Sequence, residues 1–237
     1  MLDFFRSVIS KVASGSSLRA RLARAAVWML IGSGVNQAFA MLASIGAARI
    51  LGKTAFGEFY AVRSTTMTLA VLAGGGLGMA MVRQVAALRT QDPERAGRLI
   101  RVVLTLAWSM TAIAAVACAV LARPIAAQVM QSEKLALPLA MSALAIIFST
   151  VSGAQIGVIA GCEAFRPVAI LLALEGFSAG AFMVLGAWLG GVTGAVLGYV
   201  AGTFISFLLR RRQMYSECRK AGIPIVPASA TAMREEM

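Results

Sequence analysis

The sequence has 237 residues, of which 59% are hydrophobic and only 14% charged, with a mean hydropathy of +0.81. This balance excludes an ordinary soluble domain, because no continuous polar stretch is long enough to coat a core of this size in water. The net charge of +12 raises nucleic acid as a partner. The basic residues fall between apolar segments, as in membrane proteins, so we expect an all-α integral membrane protein that binds no nucleic acid.

Residues 1–13 predict an amphipathic helix on the membrane surface, which Gly15, Ser16 and Ser17 end. From Leu2 to Val12 the apolar side chains share one helical face and the basic ones lie elsewhere, as in helices of the interface. A cleavable signal peptide is the competing interpretation. It is weak, because the first long apolar run begins only at Ala25 and no small-residue cleavage site precedes a soluble domain. We assign residues 1–24 to a cytoplasmic N-terminus.

A helical hairpin follows, and the rest of the chain is organised around it. Segment 25–48 carries no charge, and segment 60–82 carries only Arg63. At 1.5 Å of rise per residue, each can cross a hydrocarbon core of about 30 Å as a helix. The connection between them contains Gly52 and Gly57, which break helices, and aromatic residues typical of a membrane interface.

Four further apolar segments bring the predicted transmembrane helices to six. A polar connection around Pro93 precedes the first of them, and the Gly190–Gly191 pair allows a tight reversal before the last. We assign the six spans to one lobe, residues 25–212, and residues 213–237 to a cytoplasmic tail or the start of a linker to a second lobe. The four segments are residues 102–121, 135–160, 168–189 and 192–209.

Glycines recur at every fourth residue in two regions of the predicted lobe. One ladder runs from Gly153 to Gly161 and another from Gly186 to Gly202. Each bares one helix face, so that a neighbouring helix can pack closely. The glycines at positions 74–78 resemble a fragment of a dinucleotide-binding fingerprint. We reject that interpretation, because they lie inside an apolar span with no preceding strand.

The distribution of basic residues predicts how the helices are oriented. With the N-terminus inside, the cytoplasmic parts hold 17 lysines and arginines and the outside connections hold 4. Loops rich in Lys and Arg stay in the cytoplasm, so both termini are predicted to be cytoplasmic. Arg210, Arg211 and Arg212 follow the last span directly. We interpret them as an anchor of this topology, in contact with anionic membrane lipids.

Few side chains offer catalytic or metal-binding chemistry. The chain has no histidine, and its three cysteines have no paired spacing. Neither a disulfide framework nor a zinc site is therefore predicted, and we expect no metal and no cofactor. The sequence contains no nucleophile with its base, no carboxylate pair at catalytic spacing and no Walker motif. We predict no catalytic residue and no enzyme.

Five polar residues inside the apolar segments are the candidate substrate-binding residues. Arg63 either faces a wet cavity, finds a partner or snorkels to the interface. Glu175 lies deeper, which favours a role facing the lumen: pairing with Arg63, binding a cation or taking up a proton. A hydrogen bond between helices is the alternative for Glu175. The amides of Asn36, Gln37 and Gln155 serve either helix packing, their commoner use, or substrate contact.

An ordered arrangement of motifs resembles the N-terminal portion of polysaccharide flippases of the Wzx type. The chain reads NQAFAMLASIGAARILGKTAFGEFYAV, then a glycine-rich span, then GMAMVRQVA. The turn with Gly161, Glu163 and Phe165 fits the same pattern, and the resemblance covers residues 25–212. These flippases belong to a superfamily with multidrug and lipid II exporters, so the resemblance implies one lobe of a MATE-like flippase fold.

The resemblance also implies a function. Such flippases move oligosaccharide linked to undecaprenyl pyrophosphate from the cytoplasmic to the outer leaflet of the bacterial inner membrane, for surface polysaccharides such as the O-antigen of lipopolysaccharide. Members typically have two six-helix lobes around a central, often cationic cavity and work by alternating access. Arg63 fits such a cavity, because a positive wall attracts pyrophosphate.

The predicted span number departs from this family, whose complete members have twelve spans or more. We therefore expect a fragment or one half of a flippase. A homodimer is also permitted, because an even number of spans leaves two copies parallel in the membrane. Two other functions stay open. A multidrug or small-molecule antiporter would need more acidic residues at depth than Glu175, and a non-transporting scaffold would bind proteins of a glycan assembly pathway.

Overall fold

The computed structural model describes residues 18–224, apart from residues 75 and 129. The predicted surface helix and most of the predicted tail lie outside the described residues. The described residues form helices and contain no β-strand, as the sequence predicts. A 3-10 turn, Glu133–Leu135, joins two of the helices. The helices are α1 (Leu18–Gly74), α2 (Leu77–Gln91), α3 (Pro93–Val120), α4 (Ala122–Gln128), α5 (Ala136–Gly161) and α6 (Phe165–Lys220).

Helix α1 folds back on itself at Gly52. The φ of this residue is 76° and its ψ is 173°, angles that side chains with a Cβ rarely adopt. Ser44 and Tyr60, on either side of the break, are hydrogen-bonded at 2.9 Å, whereas a straight helix would separate them by about 24 Å. The predicted polar connection is therefore helical except at Gly52. We name the two arms α1a (18–51) and α1b (53–74).

Helix α6 reverses in the same way at Gly190 and Gly191, as the sequence predicts. Both residues leave helical geometry, and Gly191 has a positive φ of 58°. We name the arms of this hairpin α6a (165–189) and α6b (192–220). The arms touch through backbone, since a Cβ placed on Gly186 would overlap the carbonyl oxygen of Gly194. The glycine ladder thus brings the two arms into direct contact.

The arms of the two hairpins alternate in direction. Arm α1a runs parallel to α6a, because Gly32 packs on Ala169 and, farther along both arms, Gly46 packs on Val184. Each hairpin then returns in the opposite direction.

Hydrogen bonds between hydroxyl groups help to hold the bundle together. One of 3.1 Å joins Ser178 of α6a to Ser206 of α6b.

The predicted second span, 60–82, is broken in the structure. Arm α1b ends at Gly74 and α2 begins at Leu77, after Gly76 takes a left-handed φ of 77°. The two pieces nevertheless continue in one direction along α5. Thr66 of α1b is hydrogen-bonded to Ser142 at 2.6 Å. Farther on, Val85 of α2 packs against Gly161.

The outer surface of the bundle is apolar. Large side chains such as Leu30, Ile113 and Trp188 are more than two-thirds exposed, which is compatible with lipid and unfavourable in water. By length and composition, four helical stretches among the described residues could cross a bilayer. They are Ala23–Gln91, Pro93–Val120, Glu133–Gly161 and Phe165–Lys220.

The close contact within α6 gives a direct stability prediction. We expect Gly194→Val to lower the free energy of unfolding by about 1–3 kcal/mol, because the new side chain must push the two arms apart. The matched control is Gly34→Val, since nothing lies within 4 Å of a Cβ on Gly34. Denaturant unfolding in detergent measures both variants. Equal stability of the two would contradict the packing of α6.

Candidate functional site

A cavity of about 260 Å³ lies between the α1 and α6 hairpins. Every arm contributes to its wall, so the reversals at the glycine breaks create it. Its floor and sides also carry apolar and small residues, among them Met67 and Gly176. The polar lining residues are Asn36 and Gln37 from α1a, Arg63 from α1b, Glu175 from α6a, and Tyr199 and Thr203 from α6b.

Arg63 is the basic residue of this cavity. Its guanidinium lies over the rings of Tyr60 and Tyr199, at 5.6 Å and 5.2 Å from the ring centroids. Each contact of this kind contributes about 0.5–2 kcal/mol and orients the planar group. A second cavity, of about 470 Å³, adjoins the first and shares Arg63 and Gln37. This position favours the wet-cavity interpretation of Arg63 over snorkelling.

Glu175 forms an ion pair with Arg210, which donates a hydrogen bond to its carboxylate. The Arg210 side chain is only 5% exposed and that of Glu175 is 27% exposed. Of the alternatives for Glu175, the pairing with Arg63 is not found, and the hydrogen bond between helices is, since Arg210 lies on α6b. Arg63 and Glu175 thus line the same cavity without forming an ion pair with each other.

The basic triplet after the last span divides between two environments. Arg210 is buried in its ion pair, so its interpretation as a head-group anchor is wrong. Arg211 and Arg212 are exposed, as that interpretation expects. The helix continues through the triplet as far as Lys220, and Arg210 faces inward from it.

The two amides of α1a lie beside the acidic residue. The side chain of Asn36 packs against Gly176, where an added Cβ would lie 2.6 Å from the amide oxygen. Gln37 lines both cavities and is therefore close to Arg63. Four of the five predicted site residues thus share one cavity. They are Asn36, Gln37, Arg63 and Glu175.

Gln155 is the exception, because the structure does not place it in the wall of the cavity. It lies on α5, is 2% exposed, and its side-chain oxygen has no hydrogen-bond partner among the described residues. Ala145 of α5 packs with Tyr199, and Val158 packs in a cluster with Met214. Gln155 is therefore buried inside the bundle and lies outside the cavity wall.

A comparison with family models identifies the kind of protein. The model described as polysaccharide biosynthesis protein matches residues 22–221. The chain belongs to this family. Together with its long apolar helices, membership makes this a multi-pass membrane protein associated with polysaccharide synthesis or transport. No curated protein and no solved structure matches the chain.

Three residues of the site in this polysaccharide biosynthesis family member were not predicted from the sequence: Tyr199, Thr203 and Arg210. A signal existed for Arg210, since a carboxylate at the depth of Glu175 needs a cation, and Arg210 begins the nearest basic cluster in the final helix. A weaker signal existed for Tyr199, a phenol in a span otherwise made of apolar and small residues. Neither pairing follows without the register between helices, which is that of α6a on α6b for Arg210 and that of α1b on α6b for Tyr199.

The site of this family member offers recognition chemistry. Arg63 supplies donors for an anion, the amides of Asn36 and Gln37 pair with hydroxyl groups, and the aromatic rings provide flat apolar faces. The described residues hold no group of three or more Cys, Asp or Glu side chains that could bind a metal. Such an arrangement suits a ligand that combines a negative charge with sugar-like polar groups.

Proposed function

We propose that this chain is a transporter lobe that flips oligosaccharide linked to undecaprenyl pyrophosphate across the bacterial inner membrane. The observation that carries the proposal is the position of Arg63, held between two aromatic rings at a cavity wall in a polysaccharide biosynthesis protein. The pyrophosphate of such a lipid needs a cationic partner in a poorly solvated site. The amides nearby suit the sugar, and the apolar outer surface suits the lipid tail.

The proposed architecture is a MATE-like lobe of six membrane-spanning rods. These are α1a, α1b with α2, α3, α5, α6a and α6b. The excess of basic residues in the predicted inner loops, 17 against 4, supports cytoplasmic N- and C-termini. A second lobe or a second copy would complete the wall of the cavity. Alternating access would follow from movement of the two halves around the site.

Flipping is favoured over drug export by the state of the acidic residue. An antiporter of cations needs a free carboxylate at membrane depth, whereas Glu175 is paired with Arg210. A scaffold for glycan assembly proteins would need no polar cavity between hairpins. We therefore propose transport, and not catalysis, as the role of the cavity, with surface polysaccharide synthesis such as that of O-antigen as its setting.

Ligand preference tests the proposal. The full chain in detergent is titrated, by native mass spectrometry, with an undecaprenyl-pyrophosphate disaccharide, undecaprenyl phosphate and undecaprenol. We expect the pyrophosphate lipid to bind about tenfold or more tightly than undecaprenol, because only the former carries charge for Arg63. Ethidium serves as a cationic drug-like competitor and is expected not to displace the lipid. Equal binding of the three lipids, or displacement by ethidium, would overturn the proposal.

A further inference from the structure

A cleft of about 970 Å³ lies at the end of the bundle where α6 ends, and no residue of its wall lines the cavity above. Helix α6b continues past the predicted span to Lys220, and the chain then turns at Gly222. The turn buries Ile223 and brings the Pro224 carbonyl onto Gly97 of α3. The cleft is enclosed by α6b, this turn and the start of α3.

One wall of the cleft is cationic. Arg212, Tyr215 and Arg219 line it from positions i, i+3 and i+7 of α6b, which share one helical face. All three side chains are exposed. Arg211 lies over the ring of Tyr215, 6.0 Å from its centroid, and adds a further positive charge. Two guanidinium groups and a phenol on one face form a surface suited to a phosphate group.

The opposite wall compensates this charge only in part. Glu94 is the acidic side chain there, and it is 80% exposed and 3.9 Å from Arg98 of its own helix. One exposed carboxylate, shared with Arg98, thus faces the guanidinium groups of Arg212 and Arg219 across the cleft.

The membrane end of the cleft lies at the depth of lipid head groups. Leu209 ends the predicted apolar segment, so Arg212 lies about 4–5 Å beyond the hydrocarbon. Arg219 lies about 15 Å beyond it, outside the head-group layer, and its side chain leans back along α6b toward the membrane. The head-group layer is about 5–8 Å thick on each side of the bilayer. Leu208, one turn before Arg212, is 44% exposed, and Val102 of α3 is 62% exposed. Apolar surface therefore adjoins the cationic wall on its membrane side.

We propose that this cleft binds the phosphate head group of an anionic phospholipid. Arg212 and Arg219 hold the phosphate, Tyr215 donates a hydrogen bond, and the acyl chains lie along Leu208 and Val102. The exposed apolar side chains of Leu208 and Val102 favour a lipid over a soluble phosphate or an acidic protein, because neither of the latter would cover them. The proposal requires only that the bundle lies in a membrane and is independent of any transported substrate.

Lipid titration by native mass spectrometry of the full chain in detergent tests this site. The probes are dioleoyl phosphatidylglycerol and dioleoyl phosphatidylcholine. In Arg212→Gln/Arg219→Gln we expect phosphatidylglycerol to bind about tenfold more weakly, with phosphatidylcholine unchanged. The matched control, Arg83→Gln/Lys220→Gln, removes two exposed charges outside the cleft wall and is expected to bind phosphatidylglycerol as the parent does.

Three results would overturn the site. They are unchanged phosphatidylglycerol binding in the cleft variant, an equal loss in the control, and displacement of the lipid by inorganic pyrophosphate at the same concentration, which would indicate a free phosphate site. If the glutamine variant does not fold, Arg212→Lys/Arg219→Lys replaces it. That variant keeps the charge and loses the guanidinium fork, so we expect it to bind about threefold more weakly.

Discussion

Replacing Arg63 with alanine is expected to abolish transport of lipid-linked oligosaccharide. Arg63 is the cation of the cavity wall, and loss of one partner from a desolvated charge pair costs about 2–5 kcal/mol, or roughly 30-fold to several thousandfold. The measurement is surface polysaccharide in a flippase-deficient strain that expresses this chain together with a second lobe. Protein level is followed in the same cells.

Two variants separate the charge of Arg63 from other effects. Arg63→Lys keeps the positive charge and is expected to retain part of the activity, although it loses the planar stacking on Tyr60 and Tyr199. Arg123→Ala removes an exposed arginine outside the cavity and is expected to leave transport unchanged. Normal surface polysaccharide in Arg63→Ala, at normal protein level, would refute a substrate role for this residue.

Removing Arg210 is expected to destabilise the fold rather than to alter ligand preference. Arg210→Ala leaves the largely buried carboxylate of Glu175 without its cation, which costs about 3–5 kcal/mol in buried pairs. Thermal unfolding of the purified protein in detergent measures the change. We expect a clearly lower midpoint for Arg210→Ala than for the parent protein.

The double variant Arg210→Met/Glu175→Gln provides the decisive comparison. It removes both charges and keeps similar volumes, so most of the lost stability is expected to return. Arg211→Ala is the neighbouring control, since its side chain is exposed, and a change within about 0.5 kcal/mol is expected. Equal stability of Arg210→Ala and Arg211→Ala would show that the ion pair does not stabilise the bundle.

Most of the polar residues of the cavity could be identified from the sequence, because polar residues are rare in segments that cross lipid. Arg63, Glu175, Asn36 and Gln37 stood out as polar groups in apolar segments, and the structure gathers all four. The reversal at the Gly190–Gly191 pair was predictable for the same kind of reason. Two adjacent glycines interrupt a long apolar run and permit angles that other residues avoid.

What sequence could not give is the register between helices. The partner of Glu175 depends on how α6a slides along α6b, and apolar periodicity does not fix that offset. In the sequence, Gln155 looked equivalent to the other amides. Whether it faces the cavity depends on how α5 is rotated about its axis, and packing against α6b sets that rotation. The break after Gly74 carried the same kind of signal, three adjacent glycines at positions 74–76, but it was missed because the apolar run around them is long enough for a single span.

The contacts around the cavity are unequal, and this inequality has a mechanical consequence. Arm α1a meets α6a, and α6a meets α6b, at distances where backbone touches backbone. Across the cavity, by contrast, α1b meets α6b through side chains: Arg63 lies over the ring of Tyr199, and Val62 shares an apolar cluster with Val196. Side chains can rearrange where touching backbones cannot, so we expect any widening to occur between these two arms. In the proposed transporter, an anion that draws the guanidinium away from the ring would weaken this contact, so that substrate binding and opening would involve the same side chain.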